Sequence, residues 1–250
     1  MKTKSTNIFI EVFARIWALW AMITFLVTFL IVFIPSMLTY LIPNPQGQTI
    51  FIKLARVWMN VWLALVGCRV KIKGEENIPA NTTCIFTCNH NTFLDVPLTC
   101  PFTPAPNKTI AKKSFTKIPL FGFYYAKGAI LVDRKSDASR RKSYEEMKQT
   151  LYNKMHVCIF PEGTRNRTKE PLKFFYEGAF KLACETQKPV IPTLLFNTAK
   201  AMPNNKVFYF LPHTLEMHFL PPVYANNQTS GELKDEVFNI MTQYYITHKQ

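Results

Sequence analysis

The chain has 250 residues, 48% of them hydrophobic and 14% aromatic, with 30 Lys and Arg against 16 Asp and Glu for a formal charge of +14. That apolar fraction excludes a disordered chain, and a unit of this length buries enough surface to fold without disulfide staples. A basic excess this large calls for an anionic partner: a nucleic acid, an anionic membrane surface or a phosphorylated substrate. The excess is local. Residues 1–67 carry five basic residues and one acidic, residues 108–181 carry 17 basic and seven acidic, and the two remaining blocks balance at zero.

Residues 16–34 form a run of 19 residues without a charge, followed by Pro35. Such a run is about long enough to cross a hydrocarbon core of roughly 30 Å as a helix, or to serve as the core helix of a soluble protein. Bulky aromatics on more than one side of it (Trp17, Trp20, Phe25, Phe29) favour lipid, and the Pro-rich stretch after it does not resemble a signal-peptide cleavage site. In residues 49–67, Lys53, Arg56 and Asn60 recur at spacings of three and four, so a helix there carries one polar stripe and suits a membrane interface. Pro35, Pro43 and Pro45 break the chain between the two helices, and the predicted unit is a helical hairpin over residues 1–67. Basic residues before the first helix and after the second bias both ends to the cytoplasmic side, so the hairpin either crosses and returns or re-enters one leaflet. The expected location is the cytoplasmic face of the inner membrane.

From residue 68 to residue 250 short β-rich runs alternate with helical ones. Strands are predicted at 69–73, 83–87, 108–111, 129–132, 156–160, 190–196 and 215–220, and helices at 138–154, 175–185 and 232–246. That alternation predicts an α/β domain with a mostly parallel central sheet flanked by helices, with ligands expected where strands end. The six cysteines are scattered without a C-x-x-C pair, which reads as reduced thiols in a reducing compartment; no metal site is expected.

Three strand exits carry candidate chemistry. After the second strand comes C-N-H-N-T-F-L-D, with Asn89 and His90 at the exit and Asp95 five residues beyond His90. On one continuous helix those two side chains stand about 140° apart. They can meet only if His90 sits at the strand end and Asp95 in the first turn of the next helix, where the carboxylate would fix the tautomer and free the other ring nitrogen as a base. After the fifth strand comes F-P-E-G-T-R: Gly163 lets backbone approach a ligand, Thr164 offers a hydroxyl, and Arg165 offers a fork that suits two phosphate oxygens. Glu162 would repel a phosphate and must point aside, where it could orient Arg165. Between them, residues 110–134 interleave Lys112, Lys113, Lys117, Lys127 and Arg134 with Phe115, Phe121, Phe123, Tyr124 and Tyr125. Single-stranded nucleic-acid binders share that mixture, but here the aromatics sit in apolar runs that suit lipid or a core. Finally, V-I-P-T at 190–193 puts Pro192 inside a buried strand, which implies an edge, a bulge or a special role.

In this order, N-H-N-T-F-L-D, G-A-I-L-V-D-R, F-P-E-G-T-R and V-I-P-T resemble the four successive motifs of the glycerolipid acyltransferase family, the bacterial 1-acylglycerol-3-phosphate acyltransferases. The likeness takes in A-K-K-S-F-T-K-I-P-L-F-G and the N-terminal apolar segment, and so nearly the whole chain. It implies transfer of a fatty acyl group from acyl-CoA or an acyl carrier protein to the sn-2 hydroxyl of lysophosphatidic acid, giving phosphatidic acid, with no cofactor. It implies His90 and Asp95 as the catalytic pair and Asn89, Lys112, Arg134, Glu162, Gly163, Thr164, Arg165 and Pro192 as substrate-binding residues. No serine lies in a nucleophile elbow, so direct transfer without an acyl-enzyme is expected. The expected partners are a membrane lipid substrate, the acyl donor and an anionic bilayer, and nucleic acid is not needed to explain the charge. Two alternatives stand beside this: a relative acylating another lyso-lipid such as lyso-ornithine lipid, and a non-enzymatic binder of anionic lipid or nucleic acid.

Overall fold

The structure, a computed structural model, describes residues 8–248. Two antiparallel helices come first, α1 (Ile8–Leu38) and α2 (Gln46–Leu65). Pro35 does not end α1, which runs through it to Leu38; the chain reverses instead at the segment holding Pro43 and Pro45. Indole groups stitch the pair. Trp17 and Trp20 donate to the Val66 and Leu65 carbonyls at 3.0 and 2.9 Å, Trp62 donates to the Ala21 carbonyl at 3.0 Å, and Trp58 donates to the Thr28 hydroxyl at 2.9 Å.

The remaining elements are β1 (Val70–Lys73), β2 (Ile85–Cys88), α3 (Asp95–Phe102), β3 (Asn107–Lys112), α4 (Phe121–Gly128), β4 (Ala129–Val132), α5 (Asp137–Tyr152), β5 (His156–Ile159), α6 (Gly178–Thr186), β6 (Val190–Phe196), α7 (Thr198–Ala201), β7 (Leu215–Phe219) and α8 (Ser230–His248). All seven predicted strands are present. The sheet order is β1-β7-β6-β2-β5-β3-β4, and every pairing is parallel except β6 with β7. β2 and β6 are buried along their whole length, as strands covered on both faces must be.

Period-two alternation sorts the strand side chains into two cores. On one face Phe86, Cys158, Ile191 and Leu195 pack with Phe51, Ile52, Trp58 and Trp62 of α2 and with Phe29 of α1. On the other, Ile85, Val157, Val190 and Leu194 pack with Met147 and Leu151 of α5, Phe180 and Leu182 of α6, and Val237 and Met241 of α8. The hairpin helices thus share a continuous core with the sheet. α1 buries only a narrow stripe, and Ile16, Ile23, Leu26, Leu30, Ile31 and Ile34 stay exposed along its length. The segment Ile8–Leu41 holds an 18-residue stretch of mean hydropathy 2.4 and is, among the described residues, one helix long and apolar enough to cross a membrane. At 1.5 Å per residue, α1 alone is about 46 Å long.

Local signals explain the surface helices. Ser136 caps α5 by accepting from the Ser139 N–H at 3.2 Å, and Thr229 and Glu232 form a reciprocal capping box at the start of α8. α3, α4 and α7 are short, and of these the sequence marks only α3, through the helical turn that Asp95 requires; α3 and α4 have eight residues each, and α3 contains Pro97 and Pro101. All six cysteines are free.

Candidate active site

Parallel pairing brings the exits of β2, β5, β3 and β4 to one edge of the sheet, with β2 and β5 adjacent at its centre. The edge begins with Asn89, which is fully buried; its carboxamide accepts from the Leu195 N–H at 2.7 Å and donates to the Leu195 carbonyl at 3.1 Å. Asn89 therefore extends the β2–β6 ladder by side chain and sets the exit direction of the next residue.

His90 follows, and its Nδ1 lies 2.8 Å from Asp95 Oδ2. Asp95 is the first residue of α3, fully buried, and the same Oδ2 accepts from the Asn91 and Thr92 N–H groups at 2.5 and 2.7 Å. The carboxylate thus serves unpaired donors at a helix start while it orients the imidazole. A carboxylate only accepts, so Nδ1 carries the proton and Nε2 presents its lone pair. The ring lies on Phe160, with centroids 4.5 Å apart, and stays partly open to solvent. The spacing argument from sequence holds: the His stands at the strand end and the Asp in the first helical turn.

Glu162 points aside, as expected, but toward different partners. Its two oxygens accept from the His90 N–H at 2.8 Å and the Lys173 N–H at 3.1 Å, so it braces the His90 backbone and not the Arg165 guanidinium. Burial pushes its carboxyl up to about 7, against the lowering effect of those two donors, and the Asp95 charge adds to the rise. On the other side of His90, the Asn166 N–H donates to its carbonyl at 2.6 Å.

Gly163 has φ +70°, and a β-carbon there would lie 2.6 Å from the Tyr176 ring, so only glycine fits the turn. The same β-carbon position is 3.7 Å from Arg134 Nη1, which shows that the exposed Arg134 side chain reaches across from β4 to this turn. Arg165 stacks over the Phe93 ring at 3.7 Å, and its Nη1 donates to the Asn204 side chain at 3.4 Å; burial and the neighbouring Arg167 lower its proton affinity. Lys173 donates to the Thr164 hydroxyl at 2.9 Å. Lys112 is exposed at the end of β3, two strands from β2.

Two predicted residues sit apart from this cluster's open face. Pro192 is buried inside β6 beside Thr87, and its carbonyl accepts from the Leu220 N–H just past the end of β7, where a missing ring N–H is tolerated. Lys127, read with the basic stretch, is buried: it donates to the Thr39 carbonyl at 3.1 Å and lies over the Tyr40 ring, holding the end of the α1 segment to α4. Three contributors were missed. Asn166 follows F-P-E-G-T-R directly, and Lys173 is one of several lysines in a basic run. Asn204 arrives from a loop far along the chain and donates to the Asn91 and Asn166 carbonyls, a role that no local pattern marks. Among the described residues no three His, Cys, Asp or Glu side chains are grouped as a metal site would require.

Residues 69–195, which hold all of these motifs, match the family model described as Acyltransferase. The chain belongs to the acyltransferase family. It is 29% identical over 202 residues to a 1-acyl-sn-glycerol-3-phosphate acyltransferase of Saccharomyces cerevisiae, covering 78% of this chain and 65% of that protein. It is 32% identical over 156 residues to the Borreliella burgdorferi protein of the same name, covering 62% and 61%, and 30% identical over 175 residues to the alpha form of Mus musculus, covering 69% and 60%. The matches thus span 60% to 65% of the length of these curated relatives. Among solved structures, the 1-acyl-sn-glycerophosphate (LPA) acyltransferase PlsC of Thermotoga maritima has the same fold, with a TM-score of 0.79 over 96% of this chain and 98% of that one at 20% identity.

Proposed function

We propose that this acyltransferase moves a fatty acyl group from an acyl thioester to the sn-2 hydroxyl of lysophosphatidic acid, producing phosphatidic acid at a membrane surface. The observation that carries the reading is the oriented His90–Asp95 pair at 2.8 Å, set on one sheet edge with Arg134, Thr164, Arg165 and Lys173. The names of the three relatives point to the same acceptor.

In this mechanism His90 Nε2 takes the proton of the acceptor hydroxyl as the oxygen attacks the thioester carbonyl. Asp95 holds the ring and stabilises the imidazolium that forms. The tetrahedral intermediate collapses, the C–S bond breaks, and the thiolate leaves with the proton from His90. No bond between chain and acyl group forms. Arg165 lies over the Phe93 ring and offers its fork to phosphate oxygens, with Arg134 beside Gly163 and Lys173 beside Thr164 adding charge. Lys112, at the exit of β3, is the candidate for the developing oxyanion. Glu162, Asn89 and Pro192 act through the backbone that carries these groups. The exposed apolar face of α1 supplies the membrane anchor, at the cytoplasmic face of the inner membrane, so that the lyso-lipid reaches the edge from the bilayer.

The test is an acceptor panel with the full chain in detergent micelles, using acyl-CoA and acyl carrier protein as donors. Lysophosphatidic acid is expected to be acylated in preference to lysophosphatidylcholine and lyso-ornithine lipid. A preference for lyso-ornithine lipid, whose head group lacks phosphate, would overturn the acceptor assignment.

A further inference from the structure

We propose that Asn204 is a positioning residue for acyl transfer, holding the His90 loop with its amide group and the Arg165 guanidinium with its oxygen, and that α1 sets its place; the inference rests on the acyl-transfer reading above. Residues 202–211 leave α7 and return before β7 as a closed loop, because the Leu211 N–H donates to the Ala201 carbonyl at 2.9 Å. Compact loops joined at their ends are held by their own packing. Asn204, half-buried near the start of this one, commits its carboxamide to three groups. Its Nδ2 donates to the carbonyls of Asn91 and Asn166, the latter at 3.2 Å, and its Oδ1 accepts from Arg165 Nη1 at 3.4 Å.

Each of these groups belongs to the site. Asn91 follows His90 directly, and its N–H is one of the donors that fix Asp95 Oδ2. Asn166 follows Arg165, and its N–H donates to the His90 carbonyl at 2.6 Å. Arg165 in turn lies over Phe93, a residue of the same loop as His90. Asn204 therefore closes a ring of contacts that runs from the base, through the backbone at the exits of β2 and β5, to the guanidinium fork. One side chain bonded to both partners fixes their separation. Attack by a bound hydroxyl depends on that separation, since a misplacement of about 1 Å can cost on the order of a hundredfold in rate.

The loop itself is fastened to the apolar helix. Lys206 pairs with Glu11, Arg15 Nη1 donates to the Val207 carbonyl at 3.0 Å, and the Phe210 N–H donates to the Ala14 carbonyl at 3.2 Å. Phe210 is buried with its ring edge-on to Trp62 of α2 at 6.1 Å. Phe208 has φ +51°, a left-handed conformation that is costly for an aromatic residue and persists only where the surrounding contacts impose it. The turns of α1 that carry Glu11, Ala14 and Arg15 also expose Ile10, Val12 and Phe13. A single short strut thus joins the exposed apolar end of α1 to the loop that carries the base.

The experiment compares wild type, Asn204→Ala, Asn204→Asp, Arg165→Ala and the double variant of Asn204→Ala with Arg165→Ala, as full chains in detergent. It reads kcat, the acceptor KM, the melting temperature and amide hydrogen exchange over residues 89–96 and 164–168. Asn204→Ala is expected to lower kcat about tenfold, raise the acceptor KM about threefold and speed exchange in both segments, with little change in melting temperature. Asn204→Asp keeps the shape but sets oxygen against the two carbonyls, so its kcat should fall at least as far, which lost packing would not produce. Should Asn204→Ala fail to fold, Asn204→Asp carries the kcat comparison alone. In the Arg165→Ala background, removing Asn204 should lower kcat as before yet leave the acceptor KM where Arg165→Ala puts it, because the fork it held is gone. Arg15→Ala with Lys206→Ala, which cuts the side-chain ties to α1, should give the same pattern at smaller size and add little to Asn204→Ala; wild-type kinetics in that pair would remove α1 from the account. Wild-type kcat in Asn204→Asp, or KM effects of Asn204→Ala and Arg165→Ala that multiply, overturns the positioning role while leaving acyl transfer intact. A wild type that acylates a different lyso-lipid, or none, refutes the proposed function instead, and the exchange comparison still decides whether Asn204 holds the loop.

Discussion

The two halves of the catalytic edge are built on opposite principles. Around His90 nearly every polar group is buried and committed: Asn89 to Leu195, Asp95 Oδ2 to three donors, Glu162 to two backbone N–H groups, and the His90 carbonyl to Asn166. Around Gly163 the polar groups are more open: Arg134 and Thr164 are exposed, and Arg165 and Lys173 are half-buried. Proton transfer demands a fixed atom, and a fixed atom requires a saturated, buried frame. Phosphate binding demands charge within reach, which long side chains supply with a lighter frame, here the Phe93 ring and the Asn204 side chain beside Arg165. Under the proposed mechanism, one half sets the rate and the other the acceptor affinity.

Substitutions can break that division, beginning with the largest effect. His90→Ala is expected to lower kcat by about 10³-fold or more while the chain stays folded and membrane-bound, as read by phosphatidic acid formation and membrane fractionation. Asp95→Asn should keep the shape of the loop but lose the oriented tautomer, lowering kcat by about a hundredfold or more, with little change in the KM for the acceptor. Arg165→Ala should raise the acceptor KM by about tenfold with a much smaller change in kcat, and a KM equal to wild type would remove Arg165 from phosphate binding.

Glu162→Gln tests the frame itself through pH. Burial raises the Glu162 carboxyl from an ordinary 4.5 to about 7, so between those values the unfolded chain has given up a proton that the folded chain keeps. The stabilisation from the protonated carboxyl is therefore complete below pH 4.5 and is lost as pH rises toward about 7. The melting temperature of wild type minus that of Glu162→Gln should fall across this window and level off above it. A difference that is flat from pH 4.5 to 7.5 would show that Glu162 ionises normally. Lys112→Ala, two strands from His90 and exposed, should give the smallest loss, read as kcat at saturating acceptor.

The regular part of this structure was legible because its signals are local. Six of the seven strands announce themselves as short runs with β-branched residues, β7 having none, and a mostly parallel sheet follows from their alternation with helices. The His90–Asp95 meeting was also readable, since one helical geometry excluded it and one strand-to-helix geometry allowed it. What escaped depends on the fold. Glu162 was expected near Arg165 because they are neighbours in sequence, yet β5 lies beside β2 and delivers the carboxylate to the His90 backbone. Lys127 was read only as one of the basic residues interleaved with aromatics, but α4 packs against the hairpin and turns it inward to the Thr39 carbonyl. Asn204 reaches the catalytic loop only because β6 and α7 carry the chain back over it, and no pattern around residue 204 records that. Pro35 was expected to break the chain, yet α1 continues through it to Leu38, with Ser36 and Thr39 buried beyond it.

The division between a rate-setting half and an affinity-setting half is tested most directly by measuring kcat and the lysophosphatidic acid KM of His90→Ala and Arg165→Ala in one detergent preparation. The predicted result is that no acceptor concentration restores turnover to His90→Ala, whereas saturating acceptor restores most of it to Arg165→Ala. Turnover by His90→Ala within a few fold of wild type would contradict the account.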